Sequence, residues 1–305
     1  MELVKINKIN IPTIPDNSEP YAARPIPEFM PPLMHLCGVI GGTGSGKTTS
    51  ILRFLLWADR AGVYDRLIVF SPTLSREAKG KAFMASNHKF ELTYYEEYTD
   101  NRLCLERERM LADIRDWNDF LFDKKAYAKY RSGGELTLPE LWRLEELDFQ
   151  KPLWKFKHEY YPTCAILLDD HVGRRGVFDA NCKSQLVQVC VEHRHLGLSI
   201  YLLSQVFKNF IPKQLRGGII NLWFLFGTKS TKHMQEIAES VASKIDPKQF
   251  IAAWQLATKD SPHDFLMCDY KENDPNRMLR KNFNQYIQPT GGSLEQEEEE
   301  EVPPS

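Results

Sequence analysis

The chain has 305 residues, 42% of them hydrophobic and 11% aromatic, and a formal net charge of −2. That length can bury one substantial core, so one principal domain is expected. The six cysteines, Cys37, Cys104, Cys164, Cys182, Cys190 and Cys268, show no paired spacing, which excludes a disulfide framework and suits buried thiols in a reducing compartment. The longest apolar run, residues 219–226, is far too short to cross a bilayer, and residues 1–5 do not resemble a secretory leader.

In chain order, residues 1–32 carry Pro12, Pro15, Pro20, Pro25, Pro27, Pro31 and Pro32, a density that forbids a long helix and predicts an extended arm. A buried parallel strand is predicted over residues 36–40, and helical spacing of Ile51, Leu52, Leu55 and Leu56 predicts a helix over residues 49–59. Between them stands Gly41-Gly42-Thr43-Gly44-Ser45-Gly46-Lys47-Thr48, followed by Thr49. Glycines there let successive backbone N–H groups point at a phosphate, the helix start adds its positive end, Lys47 reaches the β- and γ-phosphates, and Thr48 ligates magnesium. The pattern therefore predicts a site for ATP and Mg²⁺.

A second strand is expected over residues 66–71, and residues 73–163 then read as a mostly helical insertion, with a charged amphipathic helix over residues 100–130. The run Ile166-Leu167-Leu168-Asp169-Asp170 reads as a central strand closed by two carboxylates. Asp169 suits the magnesium shell and Asp170 the polarisation of an attacking water. A third strand, residues 198–203, ends in Ser204-Gln205, placing an amide where it can sense a γ-phosphate or orient water. A strand over 219–226, helices over 235–245 and 247–257, and a closing strand over 265–268 complete the pattern.

This order of motifs, with Arg194-His195 and Gly197-Leu198 leading into the Ser204-Gln205 strand and Ile211-Pro212 and Leu215-Arg216 before the last apolar strand, resembles the FtsK/HerA superfamily of P-loop ATPases. Within it, the chain is most similar to the genome-packaging ATPases of poxviruses, other large nucleocytoplasmic DNA viruses, virophages and Polinton-type elements. The resemblance spans residues 33–270. It implies an α/β P-loop NTPase core of the additional-strand type, mainly a parallel sheet flanked by helices, with the Gln205 strand between the phosphate-loop strand and the acidic strand. It also implies ATP hydrolysis in a homo-oligomeric ring, pentamer or hexamer, that drives double-stranded DNA without sequence specificity into a capsid, docked on a capsid or vertex protein. Arg216 occupies the position of the family's arginine finger, which acts on the neighbour's γ-phosphate, and Arg194 is the competing candidate. An intracellular location is implied, in the host cytoplasm or virus factory, with the virion as a further place. A DNA helicase or DNA-transfer ATPase of the same superfamily is the nearer alternative, and a P-loop nucleotide kinase the more distant one.

Three further readings come from the residues. Glu192 is an alternative base should Asp170 lie too far from the water. Arg174 and Arg175, in the glycine-flanked loop after the acidic strand, are the first choice for gripping DNA phosphate, with Lys208, Lys213, Lys229 and Lys232 behind them. In the C-terminal extension, residues 271–305, six glutamates among the last eleven residues predict a solvated acidic tail; setting them aside leaves the body mildly basic, about +4.

Overall fold

A computed structural model describes residues 24–170, 184–207, 211–242 and 245–288. In chain order the elements are β1 (Leu36–Ile40), α1 (Lys47–Arg60), β2 (Arg66–Phe70), α2 (Ala78–Met84), β3 (Glu91–Tyr95), α3 (Asp100–Arg131), α4 (Leu138–Glu146), β4 (Cys164–Leu168), α5 (Gln185–Glu192), β5 (Leu198–Ser204), β6 (Leu222–Phe226), α6 (Thr231–Val241), α7 (Pro247–Thr258), β7 (Phe265–Asp269), β8 (Leu279–Lys281) and β9 (Gln285–Tyr286). The nine strands of the described residues join one sheet in the order β3-β2-β4-β5-β1-β6-β7-β8-β9. The β3-to-β6 part is parallel, and β7, β8 and β9 extend it antiparallel.

Strands buried on both faces explain the continuous apolar runs of the sequence. Along β1, Leu36 and Ile40 face a cluster with residues of α3, α5, α6 and α7, whereas Cys37 and Val39 face one with residues of α1 and α2. The registers Leu168↔Leu202 and Ile40↔Ser204 bring the C-terminal ends of β4, β5 and β1 to one edge of the sheet. Ligand sites of open α/β sheets lie at that edge. The expected placement of the Gln205 strand, β5, between β1 and β4 is what the sheet shows.

Several expectations need correction. The stretch 73–163 contains a strand, β3, paired to β2 with Arg66 opposite Glu91. It is an edge strand whose side chains are exposed or half-buried, so it lacks the apolar run that marks the central strands. The last parallel strand begins at Leu222, since Leu215–Ile219 winds as a π-helical turn that contains Gly217-Gly218. Nor does β7 end the sheet: β8 and β9, too short and polar to show a period, follow it past residue 270. The arm is tied down at its end. Arg24 donates to the carbonyls of Gly62 and Val63 at 3.0 and 3.1 Å and pairs with Asp65 at 2.6 Å.

The long helix α3 owes its weak amphipathicity to buried acids, each with a partner. Glu106 accepts from the Tyr95 hydroxyl at 2.6 Å, Asp113 pairs with Arg66 at 2.8 Å, and Asp123 pairs with Arg143 at 2.9 Å.

The sheet also explains a glycine in its most central strand. A Cβ at Gly38 would fall 2.3 Å from a ring carbon of the buried Trp223 side chain on β6. Gly38→Ala must displace that indole, and overpacking of this kind costs about 1–3 kcal/mol. Denaturant unfolding should show the loss; a midpoint equal to the parent's would contradict this packing.

Candidate nucleotide site

The loop after β1 takes its shape from three glycines. Gly44 and Gly46 sit at φ +76° and +96°, a region costly for side-chain-bearing residues, and a Cβ at Gly41 would lie 2.7 Å from both Phe226 Cβ and Ser45 Oγ. Gly46 caps α1 without a side chain, and the first turn holds no acid of its own, so the helix's positive end faces the loop. Lys47 Nζ donates to the carbonyls of Gly41 and Gly42 at 2.6 and 2.9 Å. Burial lowers its pKa, and the nearby Asp169 and Asp170 oppose that shift.

Across the cleft, Asp169 extends β4 and is 5% exposed. Its Oδ2 accepts from Thr48 Oγ1 at 3.0 Å. Burial pushes its carboxyl up to about 6, against the pull of that hydrogen bond. A hydroxyl and a buried carboxylate are hard oxygen donors of the kind magnesium takes, so the pair fits the ion that the phosphate loop implies. Asp170 turns out at φ +56° and is exposed. At the tip of β5, Gln205 Oε1 accepts from Thr43 Oγ1 at 3.0 Å, tying that strand to the phosphate loop.

Thr43, Gly44, Gly46, Lys47, Thr48 and Thr49 line one cleft of about 1180 Å³ together with Asp169, Asp170 and Gln205. The predicted phosphate loop, metal pair, second acid and amide are thus brought together. Ser45 does not line the cleft, and its Oγ is buried with no hydrogen-bond partner among the described residues. Further cleft residues carry no sequence motif. Glu77 and Lys79, around the start of α2, are close enough to shift Asp169 up and Lys47 down, and they sit in the stretch read as an insertion. His263, just ahead of β7, places Nδ1 3.3 Å from the Ser45 carbonyl.

The other candidates lie elsewhere. Glu192 is bound to Arg107 at 2.7 and 3.0 Å and stands at the end of α5, where the chain enters β5 from the opposite edge of the sheet. It cannot serve this cleft as a base. Arg194 lies in the same turn, its carbonyl accepting from Gly197 N at 3.3 Å. Arg216 is in the π-helical turn, its guanidinium 4.7 Å from the centroid of the Phe207 ring and its Nε buried with no partner among the described residues. It does not line its own chain's cleft. Lys213, Lys229 and Lys232 are exposed, while Arg174, Arg175 and Lys208 lie outside the described residues.

The raised carboxyl has a measurable consequence. Between pH 4 and 6 the unfolded chain loses the Asp169 proton before the folded one does, so metal-free stability falls as pH rises through that window. The loss reaches about 3 kcal/mol at 1.36 kcal/mol per pKa unit. Asp169→Asn should lack this slope, melt higher than the parent at pH 8 without metal, and gain little from Mg²⁺ with ATP. Parallel pH profiles of melting temperature for the two proteins would contradict the assignment.

No protein-family model and no curated protein matches the chain. Among solved structures it is similar to the DNA-packaging ATPase B204 of Sulfolobus Turreted Icosahedral Virus, at 13% identity and a TM-score of 0.48 over 82% of this chain and 97% of that one. It is also similar to the genome packaging NTPase B204 of Sulfolobus turreted icosahedral virus 2 in complex with ATP-gammaS, at 12% identity and a TM-score of 0.46 over 82% and 97%. The cytoplasmic domain of the Thermomonospora curvata type VII secretion ATPase EccC gives 15% identity and a TM-score of 0.41, over 82% of this chain and 25% of that one. Strand order and phosphate loop, both present in this chain itself, make its fold that of a P-loop NTPase of the additional-strand type.

Proposed function

We propose that the chain is an ATP-hydrolysing motor subunit that drives double-stranded DNA into a viral capsid. The observation that carries the ATPase part is the Thr48–Asp169 pair facing Lys47 across one cleft, with Asp170 and Gln205 beside it. Lys47 holds the loop carbonyls and would exchange them for phosphate oxygens, a charge-assisted bond in place of neutral ones. Thr48 and Asp169 would hold Mg²⁺, which neutralises charge on the β- and γ-phosphates when bound. Asp170, exposed at the strand tip, is placed to accept the proton of an attacking water. Gln205, already bonded to Thr43, can report the presence of a γ-phosphate from β5 to the loop.

The motor part rests on the order of motifs and on Arg216. A guanidinium that is stacked on an aromatic ring, with no partner at Nε among the described residues, and absent from its own cleft suits a finger presented to the next protomer of a ring, pentameric or hexameric. Arg174 and Arg175 would grip DNA phosphate without reading bases, and the capsid or vertex protein would be the docking partner. The place of action is then the host cytoplasm or virus factory, and the virion if the ring stays on the particle.

An ATPase assay with and without linear duplex DNA tests the reading. Wild-type turnover should rise with DNA, and Lys47→Ala should abolish both levels; hydrolysis that ignores duplex DNA would overturn the motor. Arg216→Ala should lower turnover by about 10³- to 10⁵-fold, as loss of an arginine finger does. It should regain activity when mixed with Asp170→Ala subunits, since each supplies the half that the other lacks. Absence of complementation at every mixing ratio would argue against a finger in trans.

A further inference from the structure

The phosphate loop accounts for only one end of the cleft. Beyond it the cavity continues along α1 to the turn joining β8 to β9, bordered by Arg53 and Trp57 of α1 and by a second wall of His263, Phe283 and Asn284. From Lys47 to Arg53 the helix rises about 9 Å, the scale of the step from a β-phosphate past the ribose to a base.

That second wall is built, and it is fixed to the phosphate loop. His263 contacts the Ser45 carbonyl, and a Cβ on Gly46 would come within 3.2 Å of its ring. One residue on, Asp264 Oδ1 accepts from Asn282 Nδ2 at 3.0 Å, and Asn282 Oδ1 accepts from Phe265 N at 3.1 Å. Asn282 stands at φ +54°, a conformation asparagine tolerates better than most residues, and there it turns the chain into Phe283. The Phe283 ring stacks on buried Phe54 at 5.5 Å and 24°, and meets Phe265 edge-on at 5.1 Å and Phe224 at 5.6 Å. It is half-buried, so the part not covered by these rings borders the cleft. A flat apolar platform held in one orientation, at nucleotide distance from a phosphate loop, suits the π-face of a base.

We propose that Phe283 is the platform on which the purine base of the bound nucleoside triphosphate stacks. The proposal rests on the nucleotide-binding reading above and adds base selectivity to it: a two-ring purine covers more of the platform than a pyrimidine. Trp57 and Arg53 of α1 line the same cavity and would border the base.

Calorimetric titration of the full chain with Mg·ATP, Mg·CTP and Mg·tripolyphosphate tests it. Phe283→Leu keeps apolar volume against Phe54 and Phe265 but removes the ring, and Phe283→Tyr keeps the ring. The leucine variant should bind ATP about tenfold more weakly, lose most of its preference over CTP, and bind tripolyphosphate within twofold of wild type; the tyrosine variant should bind ATP as wild type does. Equal weakening of all three ligands, or unchanged ATP affinity, would overturn the base platform. Lys47→Ala in the same titrations separates the two ideas. It should weaken all three ligands, and retained tripolyphosphate binding would overturn the phosphate-loop reading, leaving Phe283 to be judged on the ratio of ATP to tripolyphosphate affinity.

Discussion

The buried carboxylate of Asp169, hydrogen-bonded to the second residue of α1, is the constraint around which the molecule is arranged. A charge there is costly, as the upward shift of its carboxyl shows. The fold meets that cost with polar groups drawn to one edge of the sheet. The strands bearing Asp169 and the phosphate loop are not neighbours, because β5 lies between them, so Thr48 must reach over the tip of β5 to meet the acid. The same crossing puts Gln205 under Thr43. One choice of strand order therefore sets the proposed metal pair and the proposed sensing amide together.

The far side of the cleft is fixed by elements that add nothing to the parallel core. Strands β7, β8 and β9 run antiparallel at the sheet's edge, yet His263 reaches the Ser45 carbonyl and Asn282 is bonded to both Asp264 and Phe265. The rigid packing of Phe54, Phe224, Phe265 and Phe283 lets this edge act as a wall. On the other face of the sheet, Arg216 rests on Phe207 in the turn that contains Gly217 and Gly218. On the proposed reading, a finger for a neighbouring protomer would stand apart from its own chain's site, as Arg216 does.

What could be read from the amino acids divides along physical lines. The central strands and the phosphate loop were legible because burial on both faces demands unbroken apolar runs, and because a phosphate cradle demands glycine at fixed places. Residues 36–40, 165–168 and 198–203 fall within or upon β1, β4 and β5. Edge strands were not legible: Glu91–Tyr95 carries a charge and half-exposed side chains, and Leu279–Lys281 is too short for a period. Cleft residues drawn from loops were missed for a related reason. Glu77, His263 and Phe283 reach the site through tertiary packing, and nothing in their local spacing marks them. Glu192 showed the converse error, since a carboxylate near the right strand in sequence proved to lie at its wrong end.

The most direct test of the central arrangement exchanges the hardness of one donor. Thr48→Cys replaces the hydroxyl beside Asp169 with a thiol, which binds magnesium poorly and softer ions well. If Thr48 and Asp169 hold the ion between them, ATP hydrolysis by this variant should be lost in Mg²⁺ and restored in Cd²⁺, while the wild-type protein shows the opposite preference. Equal activity of the variant in both ions, or equal loss in both, would contradict the account.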